Sequence, residues 1–406
     1  MMEVKKLEQG IGRYGTPMYV FDLDEMQKTV GEFRTALEGK AKLCFAMKAN
    51  PFLTRRMSEE VDRIEVCSMG EFRICRDLGL LPEKILISGV LKKREDLAEI
   101  LSLWGNRCCY TVESLTQLQH FVQWCGVHGQ KIRVYLRLTG GDQFGMDEGT
   151  IENVVMEREK YPFLSIQGIH YFSGTRKKSV TKMQKELAYL DDFCRKLEQR
   201  TGFTIKELEY GPGLSVPCFA GQEDTVCQDL RTLAQTISFM GWKGRIVLEM
   251  GRALAAACGY YLTSVMDVKE NEETNYCIVD GGMHQLHYDG QIRGMYRPRF
   301  RMSPEREKGE QKEWTVCGAL CTGNDLLMSK VPVSDLKEGD VFLFAYAGAY
   351  SMTEGMALFL SHPLPKVALY DKKTGWKLIR HSQPTYQWNM EKEESDGDFD
   401  ADFKEN

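Results

Sequence analysis

Between Lys42 and Lys269 eight short β-rich runs alternate with amphipathic stretches, and that alternation restricts the fold more than any other feature of the chain. The runs cover residues 43–46, 64–67, 85–88, 107–112, 132–138, 166–172, 207–211 and 246–250, with helical patterns at 69–78, 115–125, 180–198 and 223–240 between them. Strands separated by helices return in parallel, and eight such units close on themselves as a (β/α)8 barrel. The expected class is therefore α/β, with the barrel assigned to residues 35–270.

After Gly259 the texture changes to alternating strands, as at 276–279, 314–317 and 341–344, with turn signals at 338–340 and 372–375. Residues 271–388 are assigned to a second, C-terminal β domain of sandwich or barrel type. The segment 1–34 carries one more strand, 18–21, expected to pack on that β domain. The end of the chain, 389–406, is acidic and poor in aliphatic residues, which predicts disorder. A length of 406 residues suits two domains of this size.

Charge excludes one class of function. Fifty-three basic residues are balanced by 58 acidic ones, a net charge of −5, so no basic face is available for nucleic acid. No apolar run reaches the ~18 residues of a membrane span. The thirteen cysteines are odd in number, and the segment 1–10 lacks the apolar core of a signal peptide, which together point to a soluble protein of the reducing cytoplasm. Their spacing holds neither CxxC pairs nor a Cys/His pattern, so no metal is expected.

Active sites of such barrels form where strands end on the C-terminal face. Four strand ends stand out. Lys48 follows the first barrel strand in the string FAMKANP, and a lysine desolvated there can condense with an aldehyde. The sixth run ends in GIHYFSGT, where period-2 alternation puts His170 and Phe172 on one face; either ring can lie against a planar cofactor, or both can fill a barrel layer. The seventh and eighth end in GPG at 211–213 and EMGR at 249–252, glycine turns with an arginine that suit a phosphate.

The ordered set of FAMKANP, EVCSMGEF, FGM, GIHYFSGT, GPG, EMGR, VDGGM, CTGNDLL and AGAY, spread over residues 15–365, resembles the fold type III decarboxylases that use pyridoxal 5′-phosphate (PLP). That group includes diaminopimelate, ornithine and arginine decarboxylases and shares the alanine racemase-like pairing of a PLP-binding barrel with a β domain. The resemblance implies decarboxylation of an amino acid at Cα, with Lys48 as the Schiff-base lysine and Glu249 as partner of the pyridinium nitrogen. His170 and Phe172 would border the ring. Thr175, Gly213, Gly251 and Arg252 would surround the phosphate, with Tyr350 closing the site from the β domain. Cys321 matches the cysteine that protonates Cα after CO2 leaves, and Thr322 and Asp325 fall at substrate-binding positions. In the family the segment 321–325 reaches the neighbouring subunit's active site, which implies a head-to-tail homodimer with shared sites.

Two positions depart from the group. Diaminopimelate and ornithine enzymes stack a histidine where this chain has Phe172, and they follow the active-site cysteine with Glu or Asp where Thr322 stands. A neutral hydroxyl pairs poorly with a distal ammonium, so diamino acids are expected to be poor substrates. Together with FLSHP at 359–363, the motifs look more like the subgroup that decarboxylates an amino acid carried as a thioester on an acyl carrier protein, typified by the glutamyl-carrier-protein decarboxylase of butirosin biosynthesis. Lys92, Lys93 and Lys177 are expected to be available to an acidic carrier. The alternatives are a diaminopimelate or other free amino-acid decarboxylase, a PLP-dependent racemase, and a non-catalytic regulatory homologue.

Overall fold

The structure, a computed structural model, describes residues 2–306 and 309–391. The chain opens with helix α1 (Val4–Tyr14), strand β1 (Met18–Asp22) and helix α2 (Leu23–Leu37). Eight parallel strands follow: β2 (Lys42–Ala46), β3 (Arg63–Val66), β4 (Ile85–Ile87), β5 (Cys109–Val112), β6 (Ile132–Leu138), β7 (Leu164–Phe172), β8 (Glu207–Gly211) and β9 (Arg245–Met250). They hydrogen-bond in chain order, and β9 pairs with β2 to close the barrel. All eight expected runs are present. Strand β5 starts later than expected because Gly105–Arg107 winds into a 3₁₀ turn.

The connecting helices are α3 (Thr54–Glu60), α4 (Met69–Asp77), α5 (Arg94–Leu103), α6 (Leu115–His128), α7 (Glu148–Met156), α8 (Val180–Thr201), α9 (Val226–Phe239) and the short α10 (Arg252–Ala255). Local chemistry sets their ends. Ser68, Ser114 and Asp147 accept from the Glu71, Gln117 and Thr150 amides at the starts of α4, α6 and α7. Gly129 (φ +61°) and Gly202 (φ +64°) end α6 and α8 in the left-handed conformation that side chains disfavour. Each helix turns its apolar stripe inward; Leu118, Phe121 and Cys125 of α6 are wholly buried. Burial of this kind contributes about 1.5–3 kcal/mol per large side chain.

The barrel lumen is partly charged. Alternation along β3 and β8 sends Arg63, Glu65, Glu207 and Glu209 inward, where Arg63 pairs with Glu209 and, at 2.8 Å, with Glu207. The Tyr135 hydroxyl donates to Glu207 at 2.6 Å. Removing one member of such a set would leave an uncompensated buried charge, at about 3–5 kcal/mol.

The second domain contains β10 (Gly259–Asn271), β11 (Thr274–Val279), β12 (Phe300–Ser303), β13 (Gln311–Cys317), β14 (Leu326–Ser334), β15 (Val341–Ala345), β16 (Lys366–Asp371) and β17 (Gly375–Arg380). Its sheet runs β14-β13-β11-β10-β1-β16-β17, with β15 pairing both β10 and β12. Strand β1 therefore completes the β domain from the far end of the chain, antiparallel to β10 and parallel to β16. The segment 1–34 is more than a strand, however: α2 begins inside it and packs on α9 of the barrel. From residue 392 onward the acidic tail lies outside the described residues.

Candidate active site

Strand β2 ends at Ala46, and the 3₁₀ turn Met47–Ala49 carries Lys48 over the barrel mouth. The β domain clamps this turn. Tyr350 N–H donates to Ala49 O at 2.7 Å, and Asn50 Nδ2 donates to Gly348 O at 2.8 Å, so the FAMKANP and AGAY strings are tied directly together. Tyr350 sits at φ +64°, a conformation that costs a bulky residue on the order of 1 kcal/mol and is maintained here by those contacts.

Lys48 Nζ donates to Glu65 Oε2 at 2.5 Å and to Cys67 Sγ at 3.4 Å, and lies 3.9 Å from Glu249 Oε1. Burial works against its charge, yet Glu65, Cys67 and Glu249 together hold the ammonium well above the ordinary lysine value. Glu249 also takes a hydrogen bond from His170 Nε2 at 2.8 Å. Burial opposes its ionisation as well, but Lys48, His170 and Arg137 prevail and bring its carboxyl down to about 2.

Every residue expected at the cofactor lines a single cavity of about 540 Å³. Phe172 borders it with its ring against Gly211, where an added Cβ would come within 2.5 Å of Phe172 Cδ2. His170 lies deeper and spends one ring nitrogen on Glu249. The phosphate end is a cradle without side chains. Gly213 stands at φ +64° with an added Cβ only 2.1 Å from Gly174 O, and a Cβ on Gly251 would meet Ala49 Cβ and Tyr350 Oη at 2.9 Å. Arg252 spans the same region, stacked 4.6 Å from the Tyr350 ring centroid, with its buried Nε lacking a partner. A primary amine, an ionised carboxylate, a glycine cradle and an orphaned guanidinium donor fit a phosphorylated pyridine aldehyde.

The remaining residues singled out in the sequence do not line this cavity. Asp325, expected at a substrate-binding position, is buried, and its carboxylate accepts from the Met283 N–H at 2.7 Å and the Leu320 N–H at 2.9 Å, because the turn holding Cys321 needs a buried acceptor for these amides. Cys321 is exposed, and neither it nor Thr322 lines the cavity of its own chain. Lys92 is buried instead of free, donating to Gly89 O, Thr111 Oγ1 and Gln117 Oε1, and burial lowers it to about 8. Lys177 is buried against Glu186 at 2.6 Å, which leaves Lys93 exposed.

Sequence reasoning passed over Glu65, Cys67, Arg137 and Asp289, all on the cavity wall. For Glu65 a signal existed: it stands in EVCS near the end of β3, and the alternation applied to His170 would have turned it inward.

The pyridoxal-dependent decarboxylase family, as described by its C-terminal sheet domain, matches residues 18–348, and the chain belongs to that family. It is accordingly a PLP-dependent carboxy-lyase acting on an amino acid. A relative from Niallia circulans named L-glutamyl-[BtrI acyl-carrier protein] decarboxylase is 28% identical over 91% of each chain. A diaminopimelate decarboxylase from Aquifex aeolicus is 26% identical over 86% of this chain and 84% of its own. The crystal structure of diaminopimelate decarboxylase from Helicobacter pylori, complexed with L-lysine, shares the fold with a TM-score of 0.83 at 22% identity, covering 94% of this chain and 98% of that one. Among the described residues no helix is long and apolar enough to cross a membrane.

Proposed function

We propose that this enzyme decarboxylates the amino-acid end of a carrier-bound thioester, glutamyl or similar, at a site centred on Lys48. The observation that carries the site is the Lys48–Glu65–Glu249–His170 constellation beside a glycine and arginine cradle. PLP, when bound, supplies an aldehyde for the amine and a ring that accepts the electron pair left when CO2 departs. Lys48 would hold that group covalently, and Glu65, in contact with Nζ, would accept the proton the amine must lose to act. Glu249, kept ionised and oriented by His170, would pair with the ring nitrogen. Gly213, Gly251, Thr175 and Arg252 would hold the phosphate, with Tyr350 packed over the guanidinium.

Decarboxylation at Cα consumes a free α-carboxylate, so a glutamyl tether must sit on the side-chain carboxyl. The distal end then carries no charge, which agrees with the neutral Thr322 and with the Niallia circulans relative. Cys321 delivers the proton to Cα. Because it lies outside the cavity of its own chain, it would serve the site of a partner in a head-to-tail homodimer. The thirteen cysteines are all free, in keeping with a reducing cytoplasm.

The test is CO2 release from a γ-glutamyl carrier thioester compared with free glutamate, lysine, ornithine and meso-diaminopimelate. The thioester should win, and Thr322→Glu should improve the diamino acids by up to about thirtyfold, the worth of one buried charge-assisted hydrogen bond. Efficient turnover of a free diamino acid by the native enzyme, with no gain from Thr322→Glu, would return the protein to the diaminopimelate reading that the Aquifex aeolicus relative favours.

A further inference from the structure

A second cavity of about 340 Å³ adjoins the first and shares Thr175, Arg252 and Asp289 with it as common walls. Its additional cations, Arg176 and Lys178, come from the loop after β7 and do not border the first cavity. Asp289 is the one carboxylate on its wall. That side chain is shared: Oδ2 pairs with Arg176 Nε at 3.0 Å and with Arg252 Nη2 at 3.3 Å, while the Asp289 carbonyl accepts from Arg176 Nη1 at 2.8 Å. Lys178 has no ion-pair partner among the described residues. Three cations against one anion leave the annex positive, although the chain as a whole carries −5.

One phosphate in the glycine cradle would engage Arg252 and leave Asp289 to Arg176, so that Lys178, beyond the shared wall, still has no anion. The surplus charge calls for a second anion, attached to something that threads from one cavity into the other. We propose that the annex binds a phosphate carried on the tether of the thioester substrate, as in a phosphopantetheine-type arm, with Arg176 and Lys178 as its specificity-determining residues. This deepens the thioester reading above and rests on it. Phe219, Tyr288 and Tyr296 give the annex an apolar side for the neutral part of such an arm, and Asp289 keeps the Arg176 fork aimed while the site waits.

The experiment compares two small probes in the holoenzyme: the γ-glutamyl thioester of neutral N-acetylcysteamine and that of 4′-phosphopantetheine. The native enzyme should show a KM about tenfold lower or better for the phosphorylated probe, with the advantage shrinking as salt rises. Lys178→Ala, which breaks no hydrogen bond or ion pair among the described residues, and Arg176→Ala should each erase most of that advantage while kcat/KM for the neutral probe stays within about twofold. Lys178→Glu should reverse it. Equal KM values for the two probes, or a preference that survives in the double variant, would overturn the annex while leaving the thioester reading intact. Turnover of neither thioester beside turnover of a free amino acid would overturn both, and the neutral probe alone reports which failure has occurred.

Discussion

The two halves of the active site are built differently. On the barrel side Lys48, Glu65, His170 and Glu249 hold one another through contacts of 2.5–3.9 Å, with each carboxylate almost wholly buried. On the β-domain side Tyr350 is docked with equal firmness, but Cys321 stands exposed on a turn that the buried Asp325 anchors from below. The groups proposed to bind and orient the cofactor are fixed within one chain, where desolvation strengthens every pairing. The group expected to deliver the final proton is left outside, shaped but unengaged. The barrel side is complete within one chain, whereas the proposed proton donor would need a second copy to reach a site.

Breaking the barrel side should have the largest effect. Lys48→Ala should abolish turnover and the visible absorption band that a pyridoxal group acquires on covalent attachment to lysine, with circular dichroism unchanged, since Lys48 lies on a short turn with its side chain open to the cavity. A variant retaining the native band would remove Lys48 from the covalent role.

The β-domain side should be softer. Cys321→Ala should still bind cofactor and substrate but slow on the order of a hundredfold, or release an aldehyde because the proton reaches the wrong carbon. Mixing it with Lys48→Ala should restore activity if sites are shared, because some mixed dimers then hold one intact Lys48–Cys321 pair. Absence of any rescue after subunit exchange would show that each chain completes its own site.

The smallest expected effect sharpens the electrostatics. Since Glu65 is the largest influence raising Lys48 against burial, Glu65→Gln should lower the lysine's pKa. The neutral amine is the nucleophile, so the pH midpoint for cofactor attachment to apoenzyme should move down, while kcat falls about tenfold through loss of the proton acceptor. An unmoved midpoint in stopped-flow absorbance would separate Glu65 from the titration of Lys48.

The eight barrel strands and the residues at their ends were legible in the sequence because both are local properties: alternation states which way a side chain points, and glycine marks where backbone must come close. Hence Lys48, His170, Glu249, Gly213 and Arg252 could all be placed around one site before any strand was paired. The partners of charges could not be read this way. Glu65 meets Lys48 because β2 and β3 are neighbours in register, and Arg63 meets Glu207 and Glu209 across the closed barrel. Lys92 and Lys177 look in sequence like any solvated lysine, and Asp325 like a substrate ligand, yet each is buried and committed to groups of its own chain. Local pattern determined which chemical groups reach the mouth of the barrel. Which of them are desolvated, which are already paired and which remain open follows from how the strands and domains come together, because desolvation and pairing are properties of the assembled interior.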